Sequence, residues 1–213
     1  MRRLDSTEYL KALIAEGEHQ HQDFKFEVSD ARKIARSLSA FANTSGGRLL
    51  VGVKDNGKIA GIDSDEEIYM VEAAAQVYCV PVPVVEMRTI VAEGRTVLIA
   101  EVHEAETKPV KVIGADGRKL AYLRRADEDV LATSVHLRIW EQERRQRGEM
   151  VVIGGIDEEL MKRLAASDVV DVDDFSRSVG VPRKVAVRAM ARLVRFNVAE
   201  EVFVDHKFYW RAV

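Results

Sequence analysis

The chain reads as an α+β protein of two domains. The larger, N-terminal one interleaves helices with the strands of a mixed sheet, and the smaller one has three helices closed by a hairpin. Three observations predict this. Segments of helical and of strand period alternate through the N-terminal part instead of being grouped. The turn pairs Asn56-Gly57, Glu93-Gly94 and Asp116-Gly117 each separate two strand-like runs. After the run GEMVVIGG the pattern changes to closely spaced short helices.

Between Asp5 and Glu16, Tyr9, Leu10, Leu13 and Ile14 lie at helical spacing and predict a short amphipathic helix. A strand is expected over Gln22 to Glu27. From Asp30 the residues Ala31, Ile34, Ala35, Leu38, Phe41 and Ala42 recur every three or four positions, with Arg32, Lys33 and Arg36 on another face. That helix should end near Thr44, stopped by Gly46-Gly47. RLLVGV, which contains Gly52, reads as a buried strand, and DNG, which contains Gly57, as the turn of a hairpin with KIAGI. Ser64 and Glu67 have capping-box spacing for a helix to about Tyr78, bounded by Pro81 and Pro83. VVEMRTIVAE and RTVLIAEVHEA form a hairpin about Glu93-Gly94, and a third is expected about Ala115-Asp116-Gly117. Thr133 suits the N-cap of a charged helix to about Arg147, which closes a first domain of residues 1–148.

In the second domain, 149–213, helices are expected over Asp157 to Ala166, Asp171 to Val179 and Pro182 to Phe196. Gly180-Val181 separates the last two, and two short strands follow about Asp205-His206. Three helices followed by a β-hairpin is the order of a winged helix-turn-helix. On the third helix Lys184, Arg188, Arg192 and Arg195 share one side, and Ala186, Ala189, Met190 and Leu193 lie opposite. From Phe175 to Ala199 the chain has six basic residues, Arg183 and Arg177 among them, and no acid. A stripe without local acids, at the place where this motif carries its reading helix, predicts contact with phosphates and base edges in a major groove. Asp171, Asp173 and Asp174 read as N-terminal helix charges.

Composition narrows the classes. Hydrophobic residues make up 47% and charged residues 31%, as in a globular chain with a sizeable core. The longest uncharged apolar stretch, Ala73 to Val85, has 13 residues and contains two prolines, too few for a membrane span. MRRLDSTEYL lacks the apolar stretch of a signal peptide, which predicts a cytoplasmic protein. Cys79 is the sole cysteine, so internal disulfides and Cys-rich zinc sites are excluded. The net charge of −3 shows no global basic excess, so any polyanion surface must be local. His19 and His21 would share one side of an extended segment but lack a third ligand at metal spacing, and His103, His136 and His206 stand apart. No phosphate-binding loop, dinucleotide fingerprint or serine nucleophile elbow is present.

Glu18, the DFK of residues 23–25, and SLSAFANTSGGRLLVGVKDNGKIAGI together resemble the AlbA-like domain of the Schlafen family, with Lys108-Pro109 and AYLRR as weaker continuations. The resemblance covers about residues 6 to 135. It implies an AlbA-like nucleic-acid-binding domain, often followed in bacterial members by a winged helix. Eukaryotic relatives use three carboxylates and a divalent cation to cleave RNA. By position these are Glu18, Asp23 and Asp55, with Lys25 as a phosphate contact. The sequence departs from the family at Asp23, where glutamate is expected, and at Ala126, where glycine is usual. Asn43, Gly46, Gly47, Gly52 and Gly57 are the motif's backbone-shaping residues.

The expectation is a nucleic-acid-binding protein, a transcriptional regulator that binds DNA in preference to RNA, acts as a homodimer, touches no membrane and needs no cofactor. Its contacts are Arg183, Lys184, Arg188, Arg192 and Arg195, with Lys25, Arg32, Lys33, Arg36 and Arg124 in the first domain. The alternative is a Mg- or Mn-dependent ribonuclease acting through Glu18, Asp23 and Asp55. A third reading, a winged helix used for protein association, fits the basic stripe poorly because interface cores are depleted of charge.

Overall fold

The computed structural model describes residues 6–144 and 154–213 and divides the chain into two compact units, Met1–Leu131 and Ala132–Val213. The first holds α1 (Ser6–Glu16), β1 (Gln22–Lys25), α2 (Ala31–Asn43), β2 (Gly47–Val51), α3 (Glu66–Gln76), β3 (Cys79–Val80), β4 (Val85–Ala92), β5 (Arg95–Val102), β6 (Lys111–Ile113), β7 (Lys119–Arg125) and β8 (Glu128–Leu131). They form two four-stranded sheets, ordered β1-β2-β5-β4 and β3-β6-β7-β8. The first is mixed: β1 and β2, joined through α2, run parallel, and the remaining pairs are antiparallel. The α+β class and the mixed sheet are therefore as the sequence predicts.

Helix α2 is the centre of this unit. It packs on β2 and β5 of one sheet, on β6, β7 and β8 of the other, and on α3. Ile34, Ala35, Leu38, Phe41 and Ala42 are buried as their spacing requires. Burial extends further round the helix, to Ser37, Ser39 and Asn43, because two sheets enclose it. Their polar groups are satisfied: the Ser37 hydroxyl donates to Asp129 (2.6 Å) and that of Ser39 to the Val110 carbonyl (2.8 Å). The Asp30 carboxylate caps the N-terminus by accepting from the Arg32 amide at 2.9 Å. Cys79 is buried beneath this core, which pushes its thiol up to about 12.

Two local expectations change. The predicted KIAGI hairpin is reduced to one bridge, Val53 to Ile59. The amides of Ala60 and Gly61 both donate to the Gly52 carbonyl and that of Ile62 donates to Thr96, so the chain leaves the turn for β5. At α3 the N-cap is Asp65, which makes no side-chain cap bond. The Ser64 hydroxyl accepts from Glu66 instead of Glu67. Glu67 turns inward, where its carboxylate accepts from the Asp63 amide at 2.7 Å and the Val28 amide at 3.4 Å. Strand β8 was not anticipated, because its turn is built on Ala126 at φ 51° without a glycine to announce it.

The second unit contains α4 (Ser134–Glu143), α5 (Ile156–Ala166), α6 (Val172–Val179), α7 (Arg183–Arg195), β9 (Ala199–Val204) and β10 (Lys207–Ala212). The three final helices and the hairpin lie where the sequence places them. Gly180 ends α6 in the left-handed region, and Asp205 and His206, both at positive φ, turn the hairpin. The expected boundary at 148/149 and the end of the charged helix lie outside the described residues. The described part of that helix, α4, belongs to the second unit rather than the first and packs on α7. Val135 of α4 joins Leu160, Phe175, Met190, Leu193 and Trp210 in one core. Burying each such side chain contributes about 1.5–3 kcal/mol.

Candidate nucleic-acid interface

Helix α7 presents the core face its spacing predicts, with Ala186, Ala189, Met190 and Leu193 buried. Its opposite side is less uniform than the sequence implies. Arg192 donates to Asp157 of α5 through two nitrogens, at 2.7 and 3.2 Å, against a carboxylate only 4% exposed. Arg183 pairs with Asp173 of α6 at 2.5 Å and donates to the Ser134 hydroxyl at 2.8 Å. Arg195 reaches the Gln142 amide oxygen at 3.4 Å. The stripe lacks acids in sequence but not in space. Lys184 and Arg188 remain exposed, one turn apart, with no carboxylate partner among the described residues. Asp171 accepts from the amides of Asp173 and Asp174, at 2.7 and 3.0 Å, and is the N-cap of α6, with Asp173 and Asp174 as the acidic residues of its first turn. The hairpin's Lys207 binds the second Asp171 oxygen at 2.8 Å.

Helix α4 borders the same side of α7. Thr133 and His136 form its capping box, with histidine in the place usually held by glutamate. The Thr133 amide donates to Nδ1 of His136 at 3.0 Å, which leaves Nε2 to carry the proton toward Glu201, 2.6 Å away on β9. His136 is thus a packed structural residue that its isolated position in the sequence did not reveal. The T-x-x-H spacing was the available signal.

In the first unit Arg32, Lys33 and Arg36 are exposed on α2. The Arg32 guanidinium lies 4.7 Å from the Tyr78 ring centre, and that of Arg36 lies 5.8 Å from Tyr122. Arg124 is different. It is 1% exposed and donates to Asp129 (2.9 Å), Asp23 (3.3 Å) and the Gln22 carbonyl (3.2 Å). A guanidinium this buried, with both terminal nitrogens donating inside the protein, cannot reach a phosphate, so the expectation of a nucleic-acid contact at Arg124 is corrected. Lys25 lies 2.5 Å from the other Asp23 oxygen. Glu18 accepts from the Phe24 amide at 2.9 Å. Burial, and then the neighbouring Asp23 carboxyl, raise the Glu18 pKa against the lowering effects of the Phe24 amide and Lys25.

The asparagine and glycines of the motif are explained by packing. Asn43 is 2% exposed and uses its whole amide. It donates to Val110 O (2.8 Å), Tyr122 O (2.9 Å) and Ser39 (3.2 Å), and accepts from the Val110 amide (2.7 Å). A Cβ on Gly47 would lie 2.3 Å from the Phe41 ring, and one on Gly52, at φ 91°, 2.7 Å from the Gly61 backbone. Gly46 packs against the Val102–Glu104 backbone, and Gly57 completes the turn before Lys58. These residues bring chain segments together.

Residues 18–133 match the family model described as Schlafen, AlbA_2, more than half of the chain. The chain belongs to the Schlafen AlbA_2 family. No curated protein matches it. The solved structures that are similar include two of low identity. One is the DIP2311 protein from Corynebacterium diphtheriae, at 20% identity and TM-score 0.47, covering 75% of this chain and 38% of that one. The other is the N-terminal domain of a RecG-related protein from Nitrosomonas europaea, at 22% identity and TM-score 0.43, covering 72% of this chain and 96% of that one. The chain spans little over a third of the Corynebacterium protein's length.

Within the AlbA_2 segment the three carboxylates do not make the metal centre that the resemblance implied. Glu18 and Asp23 are neighbours, but Asp55 sits on the exposed turn after Val53. Among the described residues no three His, Cys, Asp or Glu side chains are grouped to hold a metal ion. Both Asp23 oxygens face protein cations, Lys25 and Arg124, which supply locally the positive charge that a metal would bring. The residues present therefore do not fit a three-carboxylate site. No described helix is long and apolar enough to cross a membrane.

Proposed function

We propose that this Schlafen AlbA_2 protein binds nucleic acid without cleaving it, and that it is a DNA-binding regulator whose second unit is a winged helix with α7 as the reading helix. The observation that carries this is the pair Lys184 and Arg188. They are exposed, one helical turn apart and free of carboxylate partners among the described residues, on the last helix before an antiparallel hairpin. Cations held apart from acids are what a polyanion engages, because their charge has not been spent inside the protein. Membership of the AlbA_2 family supports the nucleic-acid class. Arg32, Lys33 and Arg36 supply a second basic surface on the first unit. The guanidinium groups of Arg32 and Arg36 rest on tyrosines rather than carboxylates, which leaves their charge available. The chain acts as a homodimer, an assembly suited to two-fold DNA sites.

Fluorescence anisotropy with labelled duplex DNA, single-stranded DNA and structured RNA tests this, with and without Mg or Mn and with the probes then run on a denaturing gel. Saturable, salt-sensitive binding to intact duplex is expected. The Lys184→Ala, Arg188→Ala protein should lose about two units of the log-log salt slope. An unchanged slope in that protein removes α7 from the interface. RNA shortened only in the presence of metal replaces the binding reading with the nuclease one. Sedimentation of the free chain and of its duplex complex tests the dimer.

A further inference from the structure

Helices α4 and α7 frame a groove of about 640 Å3, within the roughly 300–1,000 Å3 typical of small-molecule sites. Its apolar part is Leu137 and Val187. Leu137 is 40% exposed, although Val135 and Trp140 on the same helix are buried. Its rim holds four cations and one carboxylate: Arg138 pairs with Glu141 at 2.6 Å and Arg183 with Asp173, which leaves the charge of Lys184 and Arg188 to the groove. Lys184 and Arg188 have no carboxylate partner among the described residues, and the buried Nε of Arg138 donates to nothing. Exposed apolar surface, unspent charge and an unsatisfied donor converge on one concavity.

We propose that this groove binds a small organic anion, a carboxylate, sulfonate or phosphate monoester with an apolar body. The body covers Leu137 and Val187, and the acid group takes the Lys184 and Arg188 side. Because the same two cations are assigned to the polyanion above, ligand and nucleic acid exclude one another, and the groove is the regulatory site of the reading helix. This second half rests on the function proposed above. The ligand is small because the apolar floor amounts to two side chains, whereas a docked amphipathic helix needs anchors over two or more turns.

The test titrates the full chain with 8-anilinonaphthalene-1-sulfonate and, separately, with N-phenyl-1-naphthylamine, which has the same aromatic body without the acid. The sulfonate should bind saturably, one per chain, at least about tenfold more tightly than the neutral amine. Its affinity should fall by about tenfold or more in Leu137→Asp and in Lys184→Ala, Arg188→Ala, and it should release labelled duplex over its own binding range. Leu137 is partly exposed, and circular dichroism verifies that its variant is folded. Equal affinity for the two dyes, or sulfonate affinity unchanged in both variants, overturns the site. No saturable dye binding, the result expected if an acidic peptide is the true occupant, overturns it as well. Duplex binding that needs Lys184 and Arg188 in a chain that ignores the sulfonate removes the ligand site and keeps the polyanion reading. Sulfonate binding that needs Leu137 and Lys184 in a chain without affinity for duplex keeps the ligand site and removes the polyanion reading.

Discussion

Arg124 on β7 and Asp23 on β1 lie 3.3 Å apart, both almost fully buried, and join the antiparallel sheet to the mixed one. With Asp129 at 2.9 Å from the same guanidinium and Lys25 at 2.5 Å from the same carboxylate, the cluster is internally compensated. Removing one member leaves buried charge without a partner. Arg124→Met should therefore destabilise the chain by about 3–5 kcal/mol in urea unfolding, more than any exposed Arg→Met change such as Arg118→Met.

Asn43 links the end of α2 to Val110 and Tyr122 through both ends of its amide. Alanine there strands the buried Val110 amide and takes a donor from the Tyr122 and Val110 carbonyls, of which the latter keeps the Ser39 hydroxyl. The expected loss is about 3 kcal/mol or more, seen as a lower midpoint in thermal unfolding, and Asn43→Asp should fare little better because a carboxylate cannot donate to the carbonyls.

The departure from glycine at Ala126 falls on a left-handed turn residue, φ 51°. An alanine carries a steric penalty in that region which glycine avoids, partly offset by glycine's greater freedom when unfolded. Ala126→Gly should raise stability by about 0.5–1 kcal/mol, measured by chemical denaturation, and leave any nucleic-acid affinity unchanged.

Arg192 and the pair Lys184 and Arg188 share a helix face but not a role. Arg192 neutralises Asp157, a carboxylate 4% exposed. Arg192→Ala should cost about 1–3 kcal/mol of stability while leaving the salt slope of duplex binding nearly intact, the reverse of the outcome for Lys184→Ala, Arg188→Ala.

Glu18 has a folded pKa raised above the ordinary 4.5, chiefly by burial and then by Asp23. The folded state holds this proton more tightly than the unfolded one. The contribution is therefore fully present below the ordinary carboxylate value and lost as pH rises through the raised one. Glu18→Gln, which keeps an acceptor for the Phe24 amide, should be more stable relative to the parent at neutral pH than at pH 4.5. Urea midpoints at the two pH values check this, and a constant difference between the proteins contradicts it.

The sequence by itself determined most of what depends on neighbours along the chain. The helical spacing of α2 and α7, the Thr133 cap, the Gly180 stop and the turns at Glu93-Gly94 and Asp205-His206 all follow from contacts within a few residues. The core of the family motif was legible for the same reason, since SLSAFANTSGGRLLVGVKDNGKIAGI is one unbroken run. What the tertiary structure decided is which charges are spent and which remain. Asp157 and Asp173, distant or outside the acid-free stretch, cancel Arg192 and Arg183. Asp23 and Asp129 enclose Arg124, and Lys25 pairs with the other Asp23 oxygen. Ion pairing depends on distance in space and on exclusion from water, and neither is encoded in the local spacing that makes a helix or a turn. The same reason placed α4 beside α7 rather than in the first unit, and with it the groove that Leu137 and Arg188 share.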